Sequence, residues 1–95
     1  MSDTNLEFNY YVNVSIEEVR VVLGEVLQLH DRVNSLMPET PLVGNLPELD
    51  SMAIITVITA LEEHFNIVVE DDDDISTAFE TMASLIQYLE SKIQS

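Results

Sequence analysis

Apolar residues recur at helical spacing in three separate stretches of the chain. From Ile16 the series Val19, Val22, Leu23, Val26, Leu27 and then His30 or Val33 advances by threes and fours, which predicts a first helix ending between Leu29 and Asn34. Ser15 ahead of it and Glu18 three residues on form a capping-box pattern. Gly24 lowers the helix propensity of this run but leaves its stripe intact. A second stripe, Ile54, Ile58, Leu61 and Phe65, has Ile55 and Val57 beside it and opens at Asp50-Ser51, either of which can cap it. Local propensity here points to a strand, because Ile54 through Thr59 is β-branched throughout. The helical period runs on through Ala60-Leu61-Glu62-Glu63-His64-Phe65 with no turn signal, so helix is the predicted state. Thr81 caps the third stripe, Met82, Leu85, Ile86, Leu89 and Ile93, the cleanest of the three.

Between these stretches the pattern breaks. Pro38, Pro41, Gly44 and Pro47 exclude a continuous helix from Met37 to Asp50. Leu42, Val43, Leu46 and Leu49 predict that this long loop packs down over a helical core. Glu70 to Asp74 is unbroken acid and reads as a solvated loop, and Ser76 to Phe79 can form one short helical turn. The predicted fold is all-α: a four-helix bundle with three longer helices, one short helix and a long first loop. Residues 1–14 lack a helical period and read as a loosely packed tail, with Tyr10, Val12 and Val14 able to form a short extended arm; residues 15–95 form the domain.

Composition narrows the function. Ninety-five residues, 46% of them hydrophobic, suffice for one core and no more. The absence of cysteine excludes a disulfide framework and a thiolate nucleophile, and it fits a reducing cytoplasm. No basic, then apolar, leader opens the chain and no apolar run is long enough to span a bilayer, so a cytoplasmic, soluble protein is expected. Eighteen Asp and Glu face only Arg20, Arg32 and Lys92, a formal net charge of -15. Such a surface repels nucleic acid and anionic membranes and draws basic partner surfaces toward it; solubility alone asks for far less.

Candidate chemistry is sparse. Ser51, His30 or His64 and an aspartate supply the residue types of a hydrolytic triad, but no Gly-x-Ser-x-Gly elbow is present and the chain is too small for a substrate cleft. His64 is expected to be exposed on the last turn of its helix. Asp71 to Asp74 lacks the glycine and alternate spacing of a calcium loop, so no metal site is expected. Ser51 at a helix start lies beside unpaired backbone N–H groups, which suit a phosphate; position alone favours an ordinary, unmodified cap.

Leu49-Asp50-Ser51-Met52, followed by an apolar helix ending Ala60-Leu61-Glu62-Glu63-His64-Phe65, resembles the attachment motif of acyl carrier proteins. In that family an Asp-Ser-Leu triplet starts the second helix and a Leu-Glu-Glu-x-Phe-like segment ends it at the same spacing. The resemblance spans about residues 15–93. It implies a non-enzymatic carrier that holds an acyl or related group as a thioester on 4'-phosphopantetheine attached to Ser51. The implied partners are a phosphopantetheinyl transferase and acyl-loading and acyl-transferring enzymes with basic docking surfaces, met through Asp50, Met52, Glu62 and Glu63, by a monomer that neither binds nucleic acid nor inserts in membrane. Thr40-Pro41-Leu42, Leu46 to Met52 and Phe79-x-Thr81-x-x-Ser84-Leu85 are similar to carriers encoded beside bacterial exosortase and polysaccharide systems.

Three departures qualify the resemblance. Met52 replaces a leucine of similar volume, Ala53 and Thr56 stand where fatty-acid carriers place acids, and the acidic loop is slightly longer. The many Ile, Val and Leu of the second helix read first as core, and as a shelter for an acyl chain second. The competing function is an unmodified acidic helical module or inhibitor that occupies a basic surface.

Overall fold

The computed structural model describes residues 14–94. Helix α1 spans Ile16–Leu27, a 3-10 segment spans His30–Ser35, and α2, α3 and α4 span Ser51–Phe65, Ile75–Ala78 and Met82–Gln94. This is the expected all-α arrangement of three longer helices and one short one; among the described residues the only β pairing is an isolated bridge between Pro41 and Thr81. The predicted tail falls on residues outside the described ones, except for Val14. That residue is buried in the core, and its N–H donates to Glu90 of α4 at 3.0 Å.

Helix α1 starts as its sequence dictates. The Ser15 hydroxyl accepts from Glu17 N–H at 3.1 Å, and the Glu18 carboxylate reaches back to the Ser15 N–H. The helix ends at Leu27, short of the expected limit, because Gln28 turns left-handed at φ 54. That reversal carries Leu29 into the core, where it is 1% exposed, and starts the 3-10 segment. Gly24 serves this second layer: a Cβ there would lie 3.3 Å from Val33 Cγ2, so its absence lets the 3-10 segment approach α1. Val33 thus packs beside the helix rather than continuing it.

Helix α2 forms despite its β-branched run. Asp50 caps its start and Asn66, left-handed at φ 57, closes its end. Thr56 and Thr59 donate their hydroxyls to the carbonyls of Met52 and Ile55, one turn back. The buried edge is centred on Val57 and Leu61, with Ile54, Ile58 and Phe65 partly buried around them. The expected stripe therefore rotates slightly: Val57 moves to its centre and Ile55 is fully outside.

The core joins Val19, Val22 and Leu23 of α1 to Val57 and Leu61 of α2 and to Met82, Leu85 and Leu89 of α4. The long loop contributes Leu42, Leu46 and Leu49, all buried, as the sequence predicts, and Leu36 just ahead of it is buried as well; Val43 differs and stays half exposed. A backbone clasp holds that loop. Leu42 N–H donates to Glu80 and Val43 N–H to Phe79, while Met82 N–H donates to Thr40 and Ala83 N–H to Pro38, all within 2.8–3.2 Å. Thr81 and Ser84 cap α4 reciprocally, each backbone N–H donating to the other's hydroxyl.

Candidate functional site: the start of helix α2

Buried leucines set the path of the chain into α2. Leu42, Leu46 and Leu49 each point into the core, and consecutive backbone bonds, Leu46 N–H to Leu42 and Leu49 N–H to Leu46, are 3.0 Å long. Arg32 of the 3-10 segment pairs with Glu48 and holds the Glu48 carboxyl below the usual carboxylate range through that hydrogen bond. The chain then turns outward at Asp50, whose extended backbone precedes the first helical residue, Ser51.

Asp50 takes the capping role that the sequence left open between it and Ser51. Its Oδ1 accepts the Ala53 N–H at 2.9 Å. Ser51 is relieved of that role and stands exposed in the first turn, beside the N–H groups that begin the helix. No acid follows in that turn. An exposed hydroxyl next to helix N-terminal donors fits a phosphodiester: the oxygen is accessible, the dipole favours the negative charge, and the one neighbouring carboxylate is engaged with Ala53.

Met52 is 74% exposed and Ile55, one turn from Ser51, is 60% exposed. Glu62 and Glu63 lie at the other end of the helix, about 17 Å along the axis at 1.5 Å per residue. Glu62 is tied to the fold, since its Oε2 accepts Val69 N–H at 2.9 Å; Glu63 is exposed. The structure therefore gathers Asp50, Ser51 and Met52 and leaves the two glutamates apart from them. His64 is exposed as expected, 3.7 Å from Glu18 of α1. No group of three or more potential metal ligands converges among the described residues.

Two features escaped the sequence. The exposed position of Ile55 was hidden in an apolar run whose phase only the fold reveals. The second is a polar cluster at the acidic loop: Tyr88 donates to Asp73 at 2.6 Å and Lys92 lies 3.0 Å from the same oxygen. These bonds, Tyr88 first and Lys92 second, lower the Asp73 pKa to about 2, while burial and then the Asp73 hydrogen bond push the Tyr88 phenol well above its usual range. Asp74 caps α3 and is lowered by Thr77 and Ser76. The four-residue spacing of Tyr88 and Lys92 was the available signal.

Comparison with known proteins agrees with this geometry. The family described as "Phosphopantetheine attachment site" matches residues 17–89. An acyl carrier protein of Desulforapulum autotrophicum is 34% identical over 80 residues, covering 83% of this chain and 99% of that protein. The solution structure of a holo acyl carrier protein from Nitrosomonas europaea superposes with a TM-score of 0.79 at 48% identity, covering 84% of this chain and 96% of that one. Fold and site together define a phosphopantetheine-dependent carrier rather than an enzyme. The chain belongs to the acyl carrier protein family, with 4'-phosphopantetheine as prosthetic group and acyl-handling enzymes and a phosphopantetheinyl transferase as partners. None of its helices among the described residues is long and apolar enough to cross a membrane.

Proposed function

We propose that Ser51 is the attachment residue and that the carrier domain, residues 15–95, presents its cargo from the start of α2. The observation that carries this reading is the division of labour at the helix start: Asp50 caps, and the Ser51 hydroxyl is exposed. In attachment, Ser51 Oγ bonds to the phosphorus on the pantetheine side of the coenzyme A diphosphate. The bond to adenosine 3',5'-bisphosphate breaks, that group leaves, and the hydroxyl proton passes to a base on the transferase. The bound group supplies a thiol on a flexible arm, where cargo is held as a thioester. The protein contributes position: leucine anchors behind the site, and first-turn N–H groups beside the phosphodiester.

Among the expected partner contacts, Met52 and Glu63 are exposed and suited to touch an enzyme, whereas Asp50 and Glu62 are hydrogen-bonded within the fold and act through position. The overall negative charge draws basic partner surfaces from a distance. We read the protein as a monomeric cytoplasmic carrier, its tail joined at the buried Val14.

A finer placement among carriers of exosortase and polysaccharide systems rests on Thr40-Pro41-Leu42 and the segment Phe79 to Leu85. These two segments meet in the backbone clasp, so the likeness is one of loop architecture. Co-expression with a broad-specificity phosphopantetheinyl transferase, read by intact mass, tests the central claim. The expected result is a gain of one phosphopantetheinyl group in the parent and none in Ser51→Ala; a gain that persists in Ser51→Ala would move the site elsewhere.

A further inference from the structure

The chain sets three Lys and Arg residues against eighteen acids, so the placement of each cation is informative. The two arginines bracket the long loop that leads to Ser51. Arg20 of α1 holds its start, donating Nε–H to the Leu36 carbonyl at 3.0 Å. Arg32 of the 3-10 segment holds its end. There the two terminal guanidinium nitrogens meet the two carboxylate oxygens of Glu48, the second contact at 3.1 Å. This fork joins residues sixteen apart in sequence, and Glu48 stands two residues before the cap Asp50 and three before Ser51. The base of the fork is firm: Leu29 and Leu36, flanking the 3-10 segment, are buried, and Val33 lies against α1 over Gly24.

We infer that Arg32 and Glu48 are positioning residues for phosphopantetheine attachment, their pair fixing the orientation in which the turn delivers Asp50 and Ser51 to the start of α2. The inference rests on Ser51 being the attachment residue. The leucines on either side of Glu48, Leu46 and Leu49, are buried. Apolar burial is non-directional, so it holds the turn down without fixing its roll. A planar guanidinium set against a carboxylate fixes distance and direction together. In the transfer, Ser51 Oγ must lie in line with the phosphorus and the leaving oxygen. A misplacement of about 1 Å can slow such a step on the order of a hundredfold. Both side chains of the pair reach solvent, so it adds little to folding stability and its value is directional. The pair takes no part in the bond change and acts through the backbone of residues 48–51.

A charge swap separates positioning from direct contact with the enzyme. Transfer from coenzyme A by a broad-specificity phosphopantetheinyl transferase is followed by intact mass for the parent, Arg32→Gln, Arg32→Lys, Glu48→Gln, the double variant Arg32→Glu/Glu48→Arg, and Ser51→Ala. Urea midpoints and circular dichroism confirm that each variant keeps the fold. The expected result is a kcat lowered about fivefold in Arg32→Gln and Glu48→Gln, with KM for the carrier within about twofold. Arg32→Lys keeps the charge and loses the fork, and falls between them and the parent. The swapped pair restores kcat to within about twofold of the parent. Single variants that match the parent in kcat overturn the positioning role, as do slowed singles that the swap does not rescue. A raised KM at unchanged kcat overturns it as well, by showing that these side chains touch the transferase. In each of these cases a modified parent and an inert Ser51→Ala leave the attachment site standing. A parent that gains no mass, or a Ser51→Ala that still does, overturns the attachment reading and the positioning inference with it.

Discussion

Removing the Asp50 carboxylate takes away the acceptor of the Ala53 N–H at the start of α2. Asp50→Ala is therefore expected to lose about 1 kcal/mol, measured by urea denaturation. The cap was legible only as a pair of candidates, since Asp and Ser serve equally well in that position and the choice depends on where the backbone turns helical. Asp73 and Tyr88 make a pH-dependent contact. The Asp73 pKa falls from 3.8 to about 2 on folding, so its stabilisation is full above pH 3.8 and is lost as pH falls toward 2. The Tyr88 phenol is raised, so its share is full below its ordinary value of 10 and fades above it. Melting temperatures of the parent and Tyr88→Phe should differ most between about pH 4 and 10 and converge on either side.

At the scale of elements, hydrophobic spacing located all three longer helices, and capping residues at Ser15 and Thr81 fixed two of their starts. The end of α1 was not legible, because Gln28 in a left-handed conformation has no sequence signature comparable with glycine's. Its reversal is selected by the burial of Leu29 one residue on. Gln28→Gly removes the left-handed penalty of an L side chain, offset in part by a looser unfolded chain, and should stabilise the fold by roughly 0.5 kcal/mol in chemical denaturation. Helix α2 shows the opposite case. Its β-branched residues prefer strands locally, but two caps and the buried Val57–Leu61 edge override that preference. The phase of the stripe shifted because neighbouring apolar residues offered more than one edge, and contact with α1 chose between them.

The molecule as a whole carries self-repulsion. With fifteen formal negative charges in excess, folding brings acids closer together than the extended chain does. Screening shortens that repulsion from a range of about 30 Å at 0.01 M salt to about 8 Å at 0.15 M. The melting temperature should accordingly rise with added sodium chloride, and rise again with millimolar magnesium; calorimetry in dilute buffer against both conditions measures it.

The backbone clasp between residues 38–43 and 79–83 sets the frame in which the cargo moves. Because the loop ahead of Ser51 is fastened there and pinned again by three leucines, the arm pivots about a stationary origin. Positional spread at the thioester then comes from the tether's own torsions, and the search for a docked catalytic centre becomes diffusion on a leash of fixed root.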